Sequence, residues 1–202
     1  MPYNWPGMRE SQVIEDVDKL RKALGKLPDP VAKPSLVVVS GLPGTGKSYF
    51  CRRLAEMIPL VIVESDRLRR LLFLRPRYSA QESFRLFQAC YRLVEELLRS
   101  GITVALDATN LEERHRERLY HIADQMGAAL VIVWTDAPLE VVSQRLEGRK
   151  SMMDPGDQSE ADLTVYHRMR PTVERIRRSH LVVDTSKDIG AGLDKVVRRL
   201  SQ

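Results

Sequence analysis

Gly41-Leu42-Pro43-Gly44-Thr45-Gly46-Lys47-Ser48 is the stretch that decides the fold. It follows the apolar run Leu36–Val39 and leads into a helical pattern from Tyr49. Strand, GxxxxGK[ST] loop and helix in that order make a phosphate-binding P-loop. The glycines let backbone N–H groups turn inward without a Cβ in the way, and the following helix points its positive end at the same anion. Gly41, Pro43, Gly44, Thr45, Gly46, Lys47, Ser48 and Tyr49 are therefore the candidate ATP-binding residues. In this pattern Lys47 reaches the β- and γ-phosphates, and Ser48 holds a Mg²⁺ ion.

Downstream, short β-branched runs alternate with helical patterns. The strand-like runs are Leu36–Val39, Leu60–Val63, Thr103–Leu106, Leu130–Trp134 and Leu181–Val183. They are apolar throughout, as strands covered on both faces are. Ser79-x-x-Glu82 forms a capping box ahead of the stripe Leu86, Cys90, Leu93, Val94 and Leu97. Gly101 and Gly127 stand where two helices need left-handed caps. Strands separated by helices of this length require right-handed crossovers, hence a three-layer α/β/α P-loop fold on a mainly parallel five-stranded sheet. Upstream, residues 1–34 read as a separate helical appendage with a linker, LPDPVAKP, leaving 35–202 as the P-loop domain.

Composition narrows the classes. No apolar run approaches the roughly 18 residues of a membrane span, and MPYNWPGMRE carries neither a basic nor an apolar leader region. The expected location is the cytoplasm, with Cys51 and Cys90 as reduced, buried residues. The chain carries 24 Arg against 8 Lys and a formal charge of +5. Arginine's planar fork matches phosphate in two-point contact, although arginine also serves simply as a helix former on solvated faces. No NKxD-type guanine reader is present: Thr185-Ser-Lys187-Asp188 is off by one residue, and the only DxxG, Asp124 to Gly127, ends a helix pattern. Asp107 at the third strand's tip is followed by Ala108, where motor ATPases place Glu. The catalytic module is also too short for the lid domain of a ring ATPase.

Strands of a parallel sheet aim their C-terminal ends at the ligand crevice. The second runs into Glu64-Ser65-Asp66-Arg67-Leu68-Arg69. Asp66 is thereby placed to accept a proton from an attacking hydroxyl, with Arg69 one turn on. The competing structural reading makes Asp66 the N-cap of a helix starting at Arg67. The third strand continues Asp107-Ala108-Thr109-Asn110, which offers Asp107 to a metal-bound water or a lid arginine and Asp107, Thr109 and Asn110 to the acceptor. Asn110-x-x-Glu113 reads equally as a capping box. Asp136, two residues before Pro138, reads as a cap rather than a catalyst. Arg145 and Arg149 share a helix face before Met152-Met153-Asp154-Pro155-Gly156, a lid-like loop that would close arginines onto the moving phosphate.

Together, GLPGTGKS, Asp66-x-x-Arg69, Asp107-Ala-Thr-Asn110, Gln144-Arg145-x-x-x-Arg149 and Ser159-x-x-Asp162 resemble the kinase domain of phage polynucleotide kinase and the predicted-kinase group around it, over roughly residues 36–186. The resemblance implies Asp66 as general base, Arg69 as a contact to acceptor or phosphate, Arg145 and Arg149 as lid residues on ATP, and Asp107 in support. Members of that group phosphorylate polynucleotide 5′-hydroxyls, nucleotides, sugars and other small molecules. Arg67, Arg69, Arg70, Arg75 and Arg77, with Phe73 and Tyr78 among them, suit single-stranded nucleic acid, whereas Leu68, Leu71, Leu72 and Phe73 also read as plain core. The readings left standing are a kinase for a polynucleotide end, a kinase for a small hydroxyl compound, and a regulatory module that hydrolyses ATP slowly.

Overall fold

The computed structural model describes residues 9–151 and 161–200. Five strands, β1 (Ser35–Ser40), β2 (Val61–Glu64), β3 (Val104–Asp107), β4 (Ala129–Asp136) and β5 (Leu181–Asp184), form one sheet in the order β2-β3-β1-β4-β5. Every pairing is parallel. The helices are α1 (Glu10–Ala23), α2 (Lys47–Ala55), α3 (Ser65–Leu72), α4 (Ala80–Arg99), α5 (Glu113–Met126), α6 (Leu139–Ser151), α7 (Leu163–Met169) and α8 (Gly190–Leu200). A 3-10 turn, Arg170–Thr172, follows α7.

Period-two alternation in β1 divides the core between the two faces of the sheet. Leu36 and Val38 pack with α4 and α5 residues such as Leu93, Leu97 and Leu119. Val37 and Val39 pack with Phe50, Cys51 and Leu54 of α2 and Leu193 and Val196 of α8. This is the three-layer α/β/α architecture the apolar strands require. A third cluster, Leu42, Leu111, Ala137, Val142, Leu146 and Tyr166, seats α6 and α7 over the P-loop end of the sheet.

The capping signals at Ser79, Gly101 and Gly127 act where the sequence places them. Ser79 caps α4 by accepting a hydrogen bond from the Glu82 N–H at 3.2 Å, while the Glu82 carboxylate turns to the Arg77 N–H. Gly101 and Gly127 both adopt left-handed φ after α4 and α5. The α1 stripe is not left to solvent: Val17 and Leu20 lie in the larger core cluster, and α1 packs on α3 and α4. Arg85 of α4 clamps the fully buried Asp16 through two bonds of 2.7 Å. Because α1 braces α3, Leu20→Ala should remove about 3 kcal/mol of stability, read as a lowered denaturation midpoint. Among the described residues no helix is long and apolar enough to cross a membrane.

Candidate active site

The P-loop joins β1 to α2, and neighbouring strand ends leave two of its positions no room for a side chain. A Cβ on Gly41, at φ 154°, would lie 2.5 Å from Thr135 Oγ1 and 2.6 Å from the Thr135 carbonyl at the end of β4. A Cβ on Gly46, at φ 82°, would lie 2.9 Å from Thr185 Oγ1 just after β5. The Leu42 carbonyl accepts from Thr45 Oγ1 at 2.8 Å and from Lys47 Nζ at 3.0 Å. Lys47 and Ser48 form the first turn of α2, so both point from a helix N-terminus, where the macrodipole favours an anion.

The strand register delivers the carboxylates. Asp107 pairs with Glu64 of β2 on one side and Val39 of β1 on the other. Asp107 is 3% exposed, and its Oδ2 has no hydrogen-bond partner. Burial raises its pKa, opposed by the charge of Lys47 and a hydrogen bond from Ser48. A buried carboxylate oxygen without a partner, beside a hydroxyl at the phosphate loop, fits Mg²⁺, which takes hard oxygen ligands. Among the described residues no group of three or more His, Cys, Asp or Glu forms a metal cage by itself. That agrees with an ion bound mainly through water and phosphate oxygens.

Asp66 lies in the first turn of α3 and is half-buried. The capping reading is corrected here: α3 starts at Ser65, with Glu64 at its N-cap, so Asp66 is not the cap. It lines a cavity of about 940 Å³ that Lys47, Ser48, Arg69, Asp107, Thr109 and Arg145 line as well. Pro43, Gly44, Gly46 and Tyr49 also border this space. Arg69 is 6% exposed; its Nη2 donates to Ser83 Oγ at 3.2 Å and its guanidinium sits 4.7 Å from the centre of the Tyr78 ring. The Glu82 carboxylate is 4.0 Å from Arg69 Nη1, too far for a hydrogen bond, and both Nε and Nη1 lack one.

Asn110 is not among the cavity-lining residues. It is buried at φ 45°, with Nδ2 donating to the Val39 carbonyl at 3.4 Å. Its capping-box reading is also corrected, because α5 begins at Glu113 with Glu112 at the N-cap. The backbone of this turn instead buttresses the P-loop: the Gly41 N–H donates to the Thr109 carbonyl at 3.1 Å. Asp136 is the last residue of β4 rather than a helix cap, and its carbonyl accepts from the Thr185 N–H at 2.9 Å.

Arg145 extends from α6 to the loop after β5. Its Nη1 donates to the Gly44 carbonyl at 3.2 Å and to Thr185 Oγ1 at 2.9 Å, and Nη2 donates to the Thr185 carbonyl at 2.7 Å. The side chain of Arg149 and the segment Met152–Gly156 lie outside the described residues, as does Ser159. Asp162 does open a helix, accepting from the Val165 N–H at 3.0 Å.

Sequence reasoning passed over Arg52, Arg168, Thr185 and Lys187, all of which border the cavity. Thr185 was findable by the rule that selected Asp66, since it stands at the C-terminal end of a parallel strand. Arg52 was findable as the residue one turn beyond Ser48 on α2.

The chain aligns with an uncharacterized protein of Mycobacterium tuberculosis at 29% identity over 126 residues, covering 56% of this chain and 25% of that protein. It thus spans about a quarter of the length of the curated relatives it matches. Among solved structures it superposes on a putative kinase from Chloroflexus aurantiacus with TM-score 0.65 and 20% identity, covering 83% of this chain and 99% of that one. The Mycobacterium tuberculosis APS kinase, solved with AMPPNP and APS, gives TM-score 0.65 at 17% identity over 87% of this chain and all of that one. These likenesses establish the α/β P-loop fold. The AAA domain family matches residues 36–176, from the first strand through the segment after α7, and the chain belongs to that family.

Proposed function

We propose that the protein is an ATP-dependent phosphotransferase that moves the γ-phosphoryl group of ATP to a hydroxyl of its acceptor. One observation carries this reading: Lys47 and Ser48 of the P-loop and the carboxylate of Asp66 border a single cavity of about 940 Å³. That volume suits a nucleotide and a small second ligand together. Residues 35–202 form the catalytic unit of the proposal, with residues 1–34 as its supporting segment.

In the proposed reaction Asp66 accepts the acceptor's hydroxyl proton as that oxygen attacks the γ-phosphorus in line. Lys47 leaves the Leu42 carbonyl for the phosphate oxygens and stabilises the charge spreading over them. Arg69 and Thr109 orient the acceptor at the far end of the cavity, with Asn110 holding the turn beneath them. Arg145 brings positive charge to the nucleotide side, and Arg149 belongs to the proposal by its sequence position as the lid arginine. Mg²⁺, held through Ser48 and Asp107, supplies neutralisation of the phosphate oxygens when bound.

The acceptor is a small hydroxyl compound or a polynucleotide 5′ end. The APS bound beside AMPPNP in the APS kinase structure supports the small-molecule form. The exposed Arg77 at the cavity wall, with exposed Arg70 and Arg75 close to it in sequence, supports the polynucleotide form. The test is incubation with Mg²⁺ and γ-labelled ATP against a panel containing a 5′-hydroxyl oligonucleotide, nucleosides and sugars. Label on an acceptor is expected; release of free phosphate alone, indifferent to every acceptor, would favour a regulatory ATPase instead.

Lys47→Ala removes a charge-assisted donor to phosphate, and ATP affinity is expected to fall by about 10–100-fold. Calorimetric titration measures this without knowledge of the acceptor. An unchanged affinity would remove Lys47 from the nucleotide site.

A further inference from the structure

Hydrogen bonds join Thr185 to the P-loop, to α6 and to the end of β4. Its Oγ1 donates to the Thr45 carbonyl at 2.9 Å and accepts from Arg145 Nη1 at 2.9 Å. Its carbonyl accepts from Arg145 Nη2 at 2.7 Å, and its N–H donates to the Asp136 carbonyl at 2.9 Å. The residue is 4% exposed and borders the cavity.

The geometry has a directional consequence. A peptide unit is planar and trans, so fixing its carbonyl on one side fixes the next N–H on the other. The carbonyl of Thr45 belongs to the same peptide as the N–H of Gly46. By holding that carbonyl, Thr185 turns the Gly46 N–H away from itself, at the start of α2 where an anion is received. The carbonyl of Gly44, one peptide earlier, is held by Arg145, which also donates to the hydroxyl and the carbonyl of Thr185. Arg145 donates into the hydroxyl while the hydroxyl donates onward, and such a relay polarises each bond in it. Gly46 leaves space for this contact, since a Cβ there would fall 2.9 Å from the same hydroxyl.

We infer that Thr185, from the loop after β5, is a positioning residue that presets the P-loop for polyphosphate by anchoring its outward carbonyls, directly at Thr45 and through Arg145 at Gly44. This rests on the nucleotide site proposed above. The role is distinct from reading the nucleoside. A residue that shapes the anion cradle affects every polyphosphate ligand, whereas a residue that touches the base affects only ligands that carry one.

The experiment measures ATP and inorganic tripolyphosphate binding, each by calorimetry with Mg²⁺, for the wild type, Thr185→Val, Thr185→Ser and Arg145→Met. Valine keeps the shape and removes the hydroxyl; serine keeps the hydroxyl. The expected result is a loss of about tenfold for both ligands in Thr185→Val, near wild-type binding in Thr185→Ser, and a matching loss for both ligands in Arg145→Met. Wild-type affinity for both ligands in Thr185→Val would overturn the inference while leaving the kinase reading in place. So would a loss confined to ATP, which would make Thr185 a nucleoside contact. If Thr185→Val does not fold, Thr185→Ala decides in its place, and unaltered tripolyphosphate binding there overturns the inference. Failure of the wild type to bind ATP defeats the nucleotide site itself and the inference with it.

Discussion

Asp66→Asn is expected to lower phosphoryl transfer by about 10²–10⁴-fold, the range that a positioned general base contributes, while ATP affinity stays close to that of the wild type. Asparagine has nearly the same shape but cannot take a proton from the acceptor. Nucleotide binding should persist because the proposed phosphate-holding groups, on the P-loop, α2 and the loop after β5, do not include Asp66. The substitution also removes a negative charge from the first turn of α3, where the helix dipole favours one. That effect is worth about 0.3–1 kcal/mol of stability, so a small fall in thermal midpoint should accompany the lost rate. Single-turnover transfer of label to the acceptor identified by the panel separates the two effects. Retained transfer with only the thermal shift would reduce Asp66 to a helix-start charge.

A second large effect is expected far from the chemistry. Arg116 is fully buried, and its guanidinium donates to Glu113 Oε2 at 2.6 Å, to the Asn110 carbonyl, to the Glu174 carbonyl at 2.8 Å and to the Arg175 carbonyl at 3.3 Å. Glu113 completes the knot by accepting from the Arg177 N–H at 3.0 Å, and the Glu174 carboxylate accepts from the Glu113 N–H at 2.6 Å. Arg116→Ala strands a buried carboxylate and three carbonyls, and removing one partner of such a buried pair costs about 3–5 kcal/mol. For a chain of this size that is a drop of about 6–20 °C in thermal midpoint. A shift of one or two degrees would mean that the surrounding groups find other donors. The same knot holds the turn after Asp107 and the segment that leads from α7 into β5, so surviving protein should also bind its acceptor less tightly.

Regular structure was legible because it rests on short-range rules. Each strand-like run lies within a residue or two of a strand, since an apolar β-branched run between helices has few other uses in a parallel sheet. Gly101 and Gly127 cap helices as expected because a positive φ is a local demand. Helix starts were less legible: Asp66 and Asn110 both carry cap-forming side chains, yet α3 begins one residue before Asp66 and α5 three residues after Asn110. In both cases the strand end and its sheet register, rather than the side chain, decide where the chain turns. The candidate site was half legible. Lys47, Ser48, Asp66, Arg69, Asp107 and Arg145 do come together around one cavity, because strand tips of a parallel sheet share one edge. The strand-tip rule points to the position of Thr185 but not to its contacts with Thr45 and Arg145, which span 140 and 40 residues, beyond any motif window. The engagement of Arg145 with backbone carbonyls was equally invisible, because sequence shows which residues can bind phosphate and not which of them the protein's own backbone has already claimed.

The strand order β2-β3-β1-β4-β5 also sets a timetable for the ribosome. Both sheet neighbours of β1, namely β3 and β4, are translated well after β1 and the P-loop. At about 5–20 residues per second, the apolar segment SLVVVS waits several seconds with no partner strand, a natural client for a holding chaperone. Nucleotide cannot shorten that wait. Thr135 and Thr185, which wall in Gly41 and Gly46, belong to β4 and to the loop after β5, so the anion cradle closes only after residue 185 has emerged. Ligand stabilisation acts by mass action on the folded form alone. On the proposed nucleotide site, ATP would protect only chains in which this cradle is complete, and a chain that stalls before residue 185 would gain nothing from it.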